Sequence, residues 1–191
     1  MPQIKTLFKV LAVALMFSIY GCSSQKVEQE AAKSNPFCLG NSDLPQQLAD
    51  LFSEVDDQDL LHEALGDAGQ GKLCQGRVYQ SAANSQITVF RAWNSTNANS
   101  KLGNWWAFQA PGGKISIFRA DYEVCYQWSA LDKLSSCSLN PGTKVVLGTG
   151  QSATCSEYLT YPVSDKQQVY ISDASASVND CKTFDGEFSW Q

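Results

Sequence analysis

Histidine is almost absent from this sequence, and its scarcity excludes several kinds of active site. His62 is the only histidine among 191 residues, so a Ser-His-Asp or Cys-His centre has one possible base, and no nucleophile motif lies near it. No two of the seven cysteines have Cys-x-x-Cys spacing, and a zinc site would also lack its usual histidine ligands. Neither a triad hydrolase nor a zinc protein is therefore expected.

Positive charge is also in short supply. The chain has 14 Lys and Arg against 19 Asp and Glu, which gives a formal net charge of −5. Nucleic-acid binding requires a basic face, so no nucleic-acid partner is expected. The carboxylates leave a glycoside-cleaving pair open as an alternative, but their spacing does not single out two of them. The candidates are Glu157, Asp165, Asp185 and Glu187.

The longest apolar run, residues 10–20, is too short to span a bilayer and has the length of a signal-peptide core. The letters Ile-Tyr-Gly-Cys at 19–22 resemble a bacterial lipobox, in which the cysteine becomes the lipidated first residue. Ser23 resembles the outer-membrane sorting signal of Gram-negative lipoproteins. We therefore expect a signal peptide over 1–21 and lipidation of Cys22, which would anchor the protein in the bacterial envelope, at the outer membrane. An uncleaved anchor with a chance cysteine is the alternative.

Beyond Cys22, residues 22–36 are polar and charged and are predicted to form a flexible tether. Residues 37–191 are long enough for one domain with its own core. Six cysteines remain, an even number that predicts three disulfides in an exported chain, with 15 possible connectivities. Proximity along the sequence favours the pairs Cys38–Cys74, Cys125–Cys137 and Cys155–Cys181.

The hydrophobic periodicity predicts an α+β fold, in which an N-terminal helical hairpin packs on a twisted, mostly antiparallel sheet. The first helix starts near Pro45, and the second covers residues 56–65. A third helix is predicted over 121–134, with Tyr122, Cys125, Trp128 and Leu131 buried. Residues 115–118 fit either a strand or a helix start. The predicted strands are 77–80, 86–90, 143–148, 167–171 and 184–190.

One stretch, residues 87–108, stands out as a candidate binding site. An apolar strand delivers Arg91 to a polar linker, and a second strand carries aromatic residues after Gly103. A charged guanidinium beside aromatic faces suits a phosphorylated, ring-bearing small molecule. The alternative is a β-hairpin with core aromatics and an arginine at its edge. The aromatic candidates are Trp93, Trp105, Trp106 and Phe108.

The order of several motifs resembles bacterial toxin domains of the ADP-ribosyltransferase-like superfamily, which includes secreted NAD glycohydrolases. These motifs are Arg-x-Trp at 91–93, Gly-x-Trp-Trp-x-Phe at 103–108, Pro-Gly-Gly at 111–113, Trp-Ser-Ala-Leu-Asp at 128–132 and Pro-Gly-Thr-Lys-Val-Val-Leu-Gly at 141–148. The likeness covers about residues 77–171. It implies an NAD-consuming activity that cleaves the nicotinamide–ribose bond, with NAD as substrate and no bound cofactor.

The resemblance also implies roles for individual residues. Arg91 would grip the NAD pyrophosphate, and the aromatic residues would pack on the nicotinamide side. Gln168 would complete the site, with Gln167 as its competitor. The Glu-x-Glu or Gln-x-Glu motif of arginine-modifying transferases is missing around Gln168, which favours hydrolysis over arginine modification, or an inactive relative. The rival function, from a different class, is a non-catalytic outer-membrane lipoprotein that binds a protein partner, as an inhibitor or surface-exclusion protein.

Overall fold

A computed structural model describes residues 37–185. The signal peptide (1–21), the lipidation site Cys22, the tether (22–36) and residues 186–191 lie outside the described residues. The strands are β1 (Phe52–Glu54), β2 (Leu73–Ser81), β3 (Ile87–Trp93), β4 (Trp105–Trp106), β5 (Lys133–Leu139), β6 (Lys144–Gly150), β7 (Ala153–Ser156), β8 (Leu159–Tyr161), β9 (Gln167–Tyr170) and β10 (Val178–Asp185). The α-helices are α1 (Gln58–Ala64), α2 (Ile115–Asp121) and α3 (Ala174–Ser177), and two 3-10 helices cover Gln46–Leu51 and Ala98–Leu102.

The strands form three antiparallel sheets. The largest has five strands in the order β1-β2-β6-β9-β4, the second has the order β10-β5-β3, and β7 and β8 form a hairpin. The main hydrophobic core contains residues from both larger sheets, including Val89 of β3, Leu139 of β5, Leu147 of β6 and Val169 of β9. This arrangement confirms the α+β class with mostly antiparallel sheets.

Strand β6 is buried on both of its faces. Val145 and Leu147 belong to the main core, whereas Val146, between them, packs with Ala64 of α1 and Leu73 in a second cluster. Because side chains alternate across a strand, one apolar run serves both layers. The five-stranded sheet is therefore the central layer, with α1 on one face and the main core on the other.

Of the two helices predicted for the N-terminal hairpin, only the second is an α-helix. The second helix is α1, capped by the Asp57 carboxylate, which accepts a hydrogen bond from the Leu60 amide at 3.1 Å. The first helix was predicted wrongly: a 3-10 helix takes its place, and at Phe52 the chain enters β1, where Phe52 pairs with Ser81. The predicted apolar face still packs inward, since Leu44, Leu48 and Leu51 contact the main core.

The helix predicted over 121–134 is also wrong. Helix α2 ends at Asp121, and a loop follows in which Glu123 and Leu131 have φ values of 48° and 58°. Arg119 closes this loop by donating hydrogen bonds to the carbonyls of Val124 at 3.2 Å and Ser129 at 2.7 Å. Side-chain contacts of this kind override a helical pattern that is present in the sequence.

Three disulfides are present in the described residues, as their number predicts, but only one predicted pairing is correct. Cys38 is bonded to Cys74. The other two bonds are Cys125–Cys155 and Cys137–Cys181, so the pairings Cys125–Cys137 and Cys155–Cys181 are wrong. Among residues 37–185, no helix has both the length and the hydrophobicity needed to cross a bilayer.

Candidate functional site

A cavity of about 200 Å³ lies beside β3, β4 and the loop that follows α2. We call it the aromatic cavity after its ring-bearing lining residues, Phe90, Trp105, Trp106, Phe118, Tyr122 and Trp128. Its polar lining residues are Lys72, Arg91, Ser100, Glu123, Ser129 and Gln168. A mainly apolar wall with a few polar groups is the usual composition of a small-molecule site.

Four of the residues nominated from the sequence lie together in this cavity: Arg91, Trp105, Trp106 and Gln168. They come from three different strands, β3, β4 and β9. The pairing of β4 with β9 places Trp106 opposite Val169, the neighbour of Gln168. The arginine, indole and carboxamide groups therefore share one hollow, as the NAD interpretation requires.

Two other nominated residues lie elsewhere. Trp93 is only 8% exposed, and its indole Nε1 donates a hydrogen bond to Ser135 Oγ at 3.0 Å. Phe108 packs edge-on against Phe52, with ring centroids 5.5 Å apart, and lines a separate cavity of about 570 Å³. The structure does not bring either residue to the aromatic cavity. Strands β3 and β4 also do not form the predicted hairpin, since β3 pairs with β5 and β4 with β9 in a different sheet.

Arg91 is tied to the loop that precedes β4. Its Nε donates to the Ser100 carbonyl at 2.7 Å, and its Nη1 donates to the Trp105 carbonyl at 2.6 Å. The Gly103 backbone lies so close that a Cβ there would sit 2.3 Å from Arg91 Nη2. Burial lowers the pKa of Arg91 to about 10, so the guanidinium still carries its charge at neutral pH. No carboxylate in residues 37–185 forms an ion pair with it.

The two adjacent tryptophans are fixed differently. Trp106 is 2% exposed and belongs to the main core, and its Nε1 donates to the Gly103 carbonyl at 2.7 Å. Trp105 packs against the Tyr170 ring, with centroids 5.0 Å apart. Both rings are thus held in place, but on opposite faces of the five-stranded sheet: Trp106 packs in the main core and Trp105 in the second cluster.

The two candidate glutamines of β9 point to opposite faces of the sheet. Gln168 is 6% exposed, and its Nε2 donates to Glu123 Oε2 at 2.8 Å. Gln167 instead holds the N-terminal segment, because its Nε2 donates to the carbonyls of Asp43 at 2.7 Å and Asn41 at 3.2 Å. Of the pair, only Gln168 lines the aromatic cavity.

Glu123 is the most unusual residue of the cavity. It is 2% exposed, and among the described residues its Oε1 has no hydrogen-bond partner. Burial raises the pKa of Glu123 to about 8, against the lowering effect of Ser164 and Gln168. A Cβ at Gly150 would lie 1.7 Å from Glu123 Oε2, so the carboxyl group occupies the space that a side chain at position 150 would need.

No family model, no curated protein and no solved structure matches the chain. The resemblance to ADP-ribosyltransferase-like domains therefore stays a prediction. What can be said of the site's chemistry comes from its own geometry.

Sequence reasoning missed Glu123, because the predicted helix over 121–134 gave it no special position. The carboxylates it considered are elsewhere: Glu157, Asp165 and Asp185 are exposed and do not line the cavity, and Glu187 lies outside the described residues. A buried carboxyl group is rare unless it is partnered, but burial here depends on the loop after α2, which no periodic pattern predicts.

The cavity offers an enclosed, mainly apolar space with three kinds of polar group. Arg91 supplies fixed positive charge, Gln168 supplies a carboxamide, and Glu123 supplies a carboxyl group whose charge depends on pH near neutrality. Buried, titratable groups in a cleft are characteristic of functional sites. Among residues 37–185, no three His, Cys, Asp or Glu side chains converge as metal ligands.

Proposed function

We propose that this chain is a lipid-anchored envelope protein whose aromatic cavity takes the nicotinamide end of NAD, and that it cleaves the nicotinamide–ribose bond. The observation that carries the proposal is that Arg91, Trp105, Trp106 and Gln168 all line one cavity. Each of these residues is also predicted from the sequence to be part of the site. Their convergence from three strands is what a site for this substrate needs.

The size of the cavity limits how much of NAD it would enclose. Pockets that enclose a drug-sized ligand have volumes of about 300–1,000 Å³, whereas this cavity has about 200 Å³. A single flat ring and part of its ribose match that space, with the pyrophosphate and adenosine outside. The Trp105 indole, which packs against Tyr170, would lie against the ring and exclude water from it.

Arg91 has a narrower role in this proposal than the resemblance implies. Two of its five N–H donors are engaged by backbone carbonyls, so it would attract the pyrophosphate as a charge with its remaining Nη donors rather than by its whole fork. Because Arg91 also holds the loop before β4, replacing it with alanine would disturb the cavity wall. Arg91→Lys, which keeps the charge, is therefore the more informative variant.

The reaction would proceed through charge development on the ribose. Breaking the bond from ribose C1′ to the ring nitrogen leaves the electron pair on nitrogen and neutralises the pyridinium. The Gln168 carboxamide oxygen would accept a hydrogen bond from a ribose hydroxyl or from the attacking water and so orient it. Water then adds to C1′ and releases a proton, which is hydrolysis; a side chain as acceptor gives ADP-ribosyl transfer.

Nicotinamide release from NAD tests the catalytic proposal. The oxidised full chain in detergent should liberate free nicotinamide, and Gln168→Ala should reduce the rate by about 10²-fold, the usual effect of losing one oriented polar group. Gln167→Ala is the matched control, because it lies on the same strand but faces the N-terminal segment; its rate should stay within about threefold of the parent. A folded, oxidised parent chain that releases no nicotinamide would refute the activity.

The envelope location has its own test. Lipidation would give the mature chain Cys22 as its first residue, with several acyl chains whose burial contributes about 0.8 kcal/mol per methylene. The parent should therefore fractionate with outer membranes and show the mass of a triacylated Cys22 terminus. Cys22→Ser should lose the added mass and leave the membrane fraction. Equal masses and distributions for both chains would contradict the anchor.

Binding of a protein partner is the second candidate, and one observation favours it. Tyr126 and Trp128 are 59% and 52% exposed on the loop after α2, whereas Trp93 and Trp106 are buried. The exposed pair is therefore the part of the aromatic set that a protein partner could contact. A folded parent chain that neither binds NAD nor releases nicotinamide would favour this candidate, and Trp128 would then be the first residue to replace.

A further inference from the structure

The loop after α2 places one buried carboxyl group, that of Glu123, against the carboxamide of Gln168. Gln168 Nε2 lies 2.8 Å from Glu123 Oε2 and 3.4 Å from the Tyr122 carbonyl oxygen. No hydrogen bond to Gln168 Oε1 is formed by the described residues. The carboxamide nitrogen is thus held by Glu123 and Tyr122, and the carboxamide oxygen is not engaged.

We propose that Glu123 is a positioning residue whose carboxylate holds Gln168 Nε2 and so leaves Gln168 Oε1 available to a ligand in the cavity. The cavity then presents a hydrogen-bond acceptor at this point and selects ligands that carry an N–H or O–H donor there. In its consequence for catalysis, the inference rests on the function proposed above, because a ribose hydroxyl or an attacking water is such a donor.

The chemistry of the two side chains explains why ionisation of Glu123 matters. A carboxylate only accepts hydrogen bonds, so the carboxamide must offer it an N–H. A protonated carboxyl group can also donate, and the carboxamide can then turn its oxygen toward Glu123 and its N–H groups toward the cavity. The Tyr122 carbonyl also prefers Nε2, but at 3.4 Å it holds the amide only weakly.

The backbone and the packing around Glu123 restrain its carboxyl group next to Gln168. Glu123 has φ 48°, in the left-handed region, and two residues later Cys125 is bonded to Cys155. On the far side, Gly150 leaves room for Oε2 only because it has no side chain. The carboxyl group is therefore a fixed support for Gln168.

The groups that surround Glu123 do not neutralise its charge. Asp121 is the nearest charged residue on its own segment and disfavours ionisation. Ser164, from the loop before β9, donates its hydroxyl to the Asp121 carbonyl at 2.6 Å and favours the ionised form of Glu123 without carrying a charge. From β6, Gly150 lies against the carboxyl group. Arg91 and Lys72 line the same cavity but form no ion pair with Glu123 within the described residues.

Glu123 changes its charge within a pH range that can be studied in solution. With its pKa raised to about 8 by burial, Glu123 loses its proton as the pH rises from about 7 to about 9. Because the ionised form is the one that fixes Gln168, the oriented state becomes dominant as the pH rises through this window. Any activity that depends on Gln168 Oε1 should therefore rise with pH over the same range.

The test reads the Gln168 side chain directly. In the oxidised, ¹⁵N-labelled full chain, the side-chain NH₂ signals of Gln168 are assigned by their loss in Gln168→Ala and followed from pH 6 to pH 9.5. We expect them to shift with a midpoint near the Glu123 pKa of about 8 in the parent chain. In Glu123→Gln they should not titrate, because the neutral amide fills the same space without an ionisable proton. The NH₂ signals of Gln167 serve as the internal control and should stay constant.

The outcomes separate this inference from the proposed activity. If the Gln168 signals titrate in the parent but not in Glu123→Gln, positioning is supported even where no nicotinamide is released. If nicotinamide is released, its rate should rise through the same midpoint in the parent and lose that inflection in Glu123→Gln. Signals that stay constant in the parent, or that titrate equally in Glu123→Gln, would overturn the inference whether or not NAD is cleaved.

Discussion

At the scale of single residues, the buried Glu123 predicts a particular pH dependence of stability. Its pKa in the folded chain is about 8, above the ordinary 4.5, so between these values the folded state holds a proton that the unfolded state has lost. The free energy of unfolding should therefore fall as pH rises across this window, by up to about 1.4 kcal/mol per pH unit. Urea unfolding at pH 5, 6.5 and 8 measures it.

Glu123→Gln isolates this contribution from all other titrating groups. The glutamine is neutral throughout and can accept the same hydrogen bond from Gln168. Its stability should thus depend less on pH than that of the parent and should exceed the parent's at pH 8. A parent and variant whose stabilities change in parallel from pH 5 to pH 8 would show that Glu123 is not a buried, proton-holding group.

Gly150 gives a second prediction at this scale. A Cβ there would lie 1.7 Å from Glu123 Oε2, so Gly150→Ala must displace the carboxyl group and should cost about 1–3 kcal/mol of unfolding free energy. Gly112→Ala is the control, because nothing lies within 4 Å of a Cβ at that position, and it should change stability by less than about 0.5 kcal/mol.

The same clash makes a double variant informative. Combining Gly150→Ala with Glu123→Ala removes the carboxyl group that the new methyl would strike, so the two losses should not add. If they do add, or if Gly150→Ala is as stable as Gly112→Ala, the packing of Glu123 against Gly150 is refuted.

At the scale of elements, strands were easier to predict than helices for a physical reason. The run around Val145 is buried on both faces in β6, and such an apolar, β-branched segment has few alternatives. By contrast, the apolar spacing of Tyr122, Cys125, Trp128 and Leu131 fits a helix, but the segment is a loop that Arg119 and a disulfide hold in place. The loop buries Cys125 and Leu131 and leaves Trp128 52% exposed. Contacts distant in sequence decided that segment, and with it the position of Glu123.

The same distinction explains how much of the site the sequence could predict. Four residues of the site lie on strands, so they could be predicted from residue type and from their order in the sequence. They are Arg91, Trp105, Trp106 and Gln168. Glu123 lies on the loop, where its burial depends on Gly150 and on the Cys125–Cys155 bond. No local pattern carries that information.

The Cys125–Cys155 bond should therefore matter to both stability and the cavity. It links residues 30 apart, and the double change Cys125→Ser with Cys155→Ser should cost about 3 kcal/mol of unfolding free energy. Because the bond holds the loop two residues from Glu123, the Gln168 side-chain NH₂ signals should also move. Urea unfolding and ¹⁵N spectra of the full chain measure the two effects.

The control is the pair Cys137→Ser with Cys181→Ser. That bond joins residues 44 apart, so its loss should cost a similar free energy, but it links β5 and β10, which are already paired. The Gln168 signals should therefore stay where they are in the parent. Gln168 signals that are unchanged in the Cys125–Cys155 variant would contradict a role for that bond in supporting the cavity.

At the scale of the whole molecule, the three disulfides link segments that folding, not sequence proximity, brings together. Cys137 of β5 lies opposite an irregularity of β10, where the register shifts between Asn179 and Lys182, and Cys181 falls within it. Cys125 meets Cys155 because the loop after α2 packs on the β7–β8 hairpin. Pairing each cysteine with its next neighbour in sequence ignores both arrangements, so it identified only Cys38–Cys74.

This connectivity can be checked without ambiguity, because the six cysteines fall in six different tryptic peptides. These are residues 34–72, 73–77, 120–133, 134–144, 145–166 and 167–182. Mass spectrometry of the unreduced digest should find 34–72 joined to 73–77, 120–133 joined to 145–166, and 134–144 joined to 167–182. After reduction, all six should appear as free peptides. A link between 120–133 and 134–144 would show that Cys125 pairs with Cys137. The loop after α2 would then have no disulfide to β7. The proposed positioning of Gln168 by Glu123 would lose the bond that holds this loop.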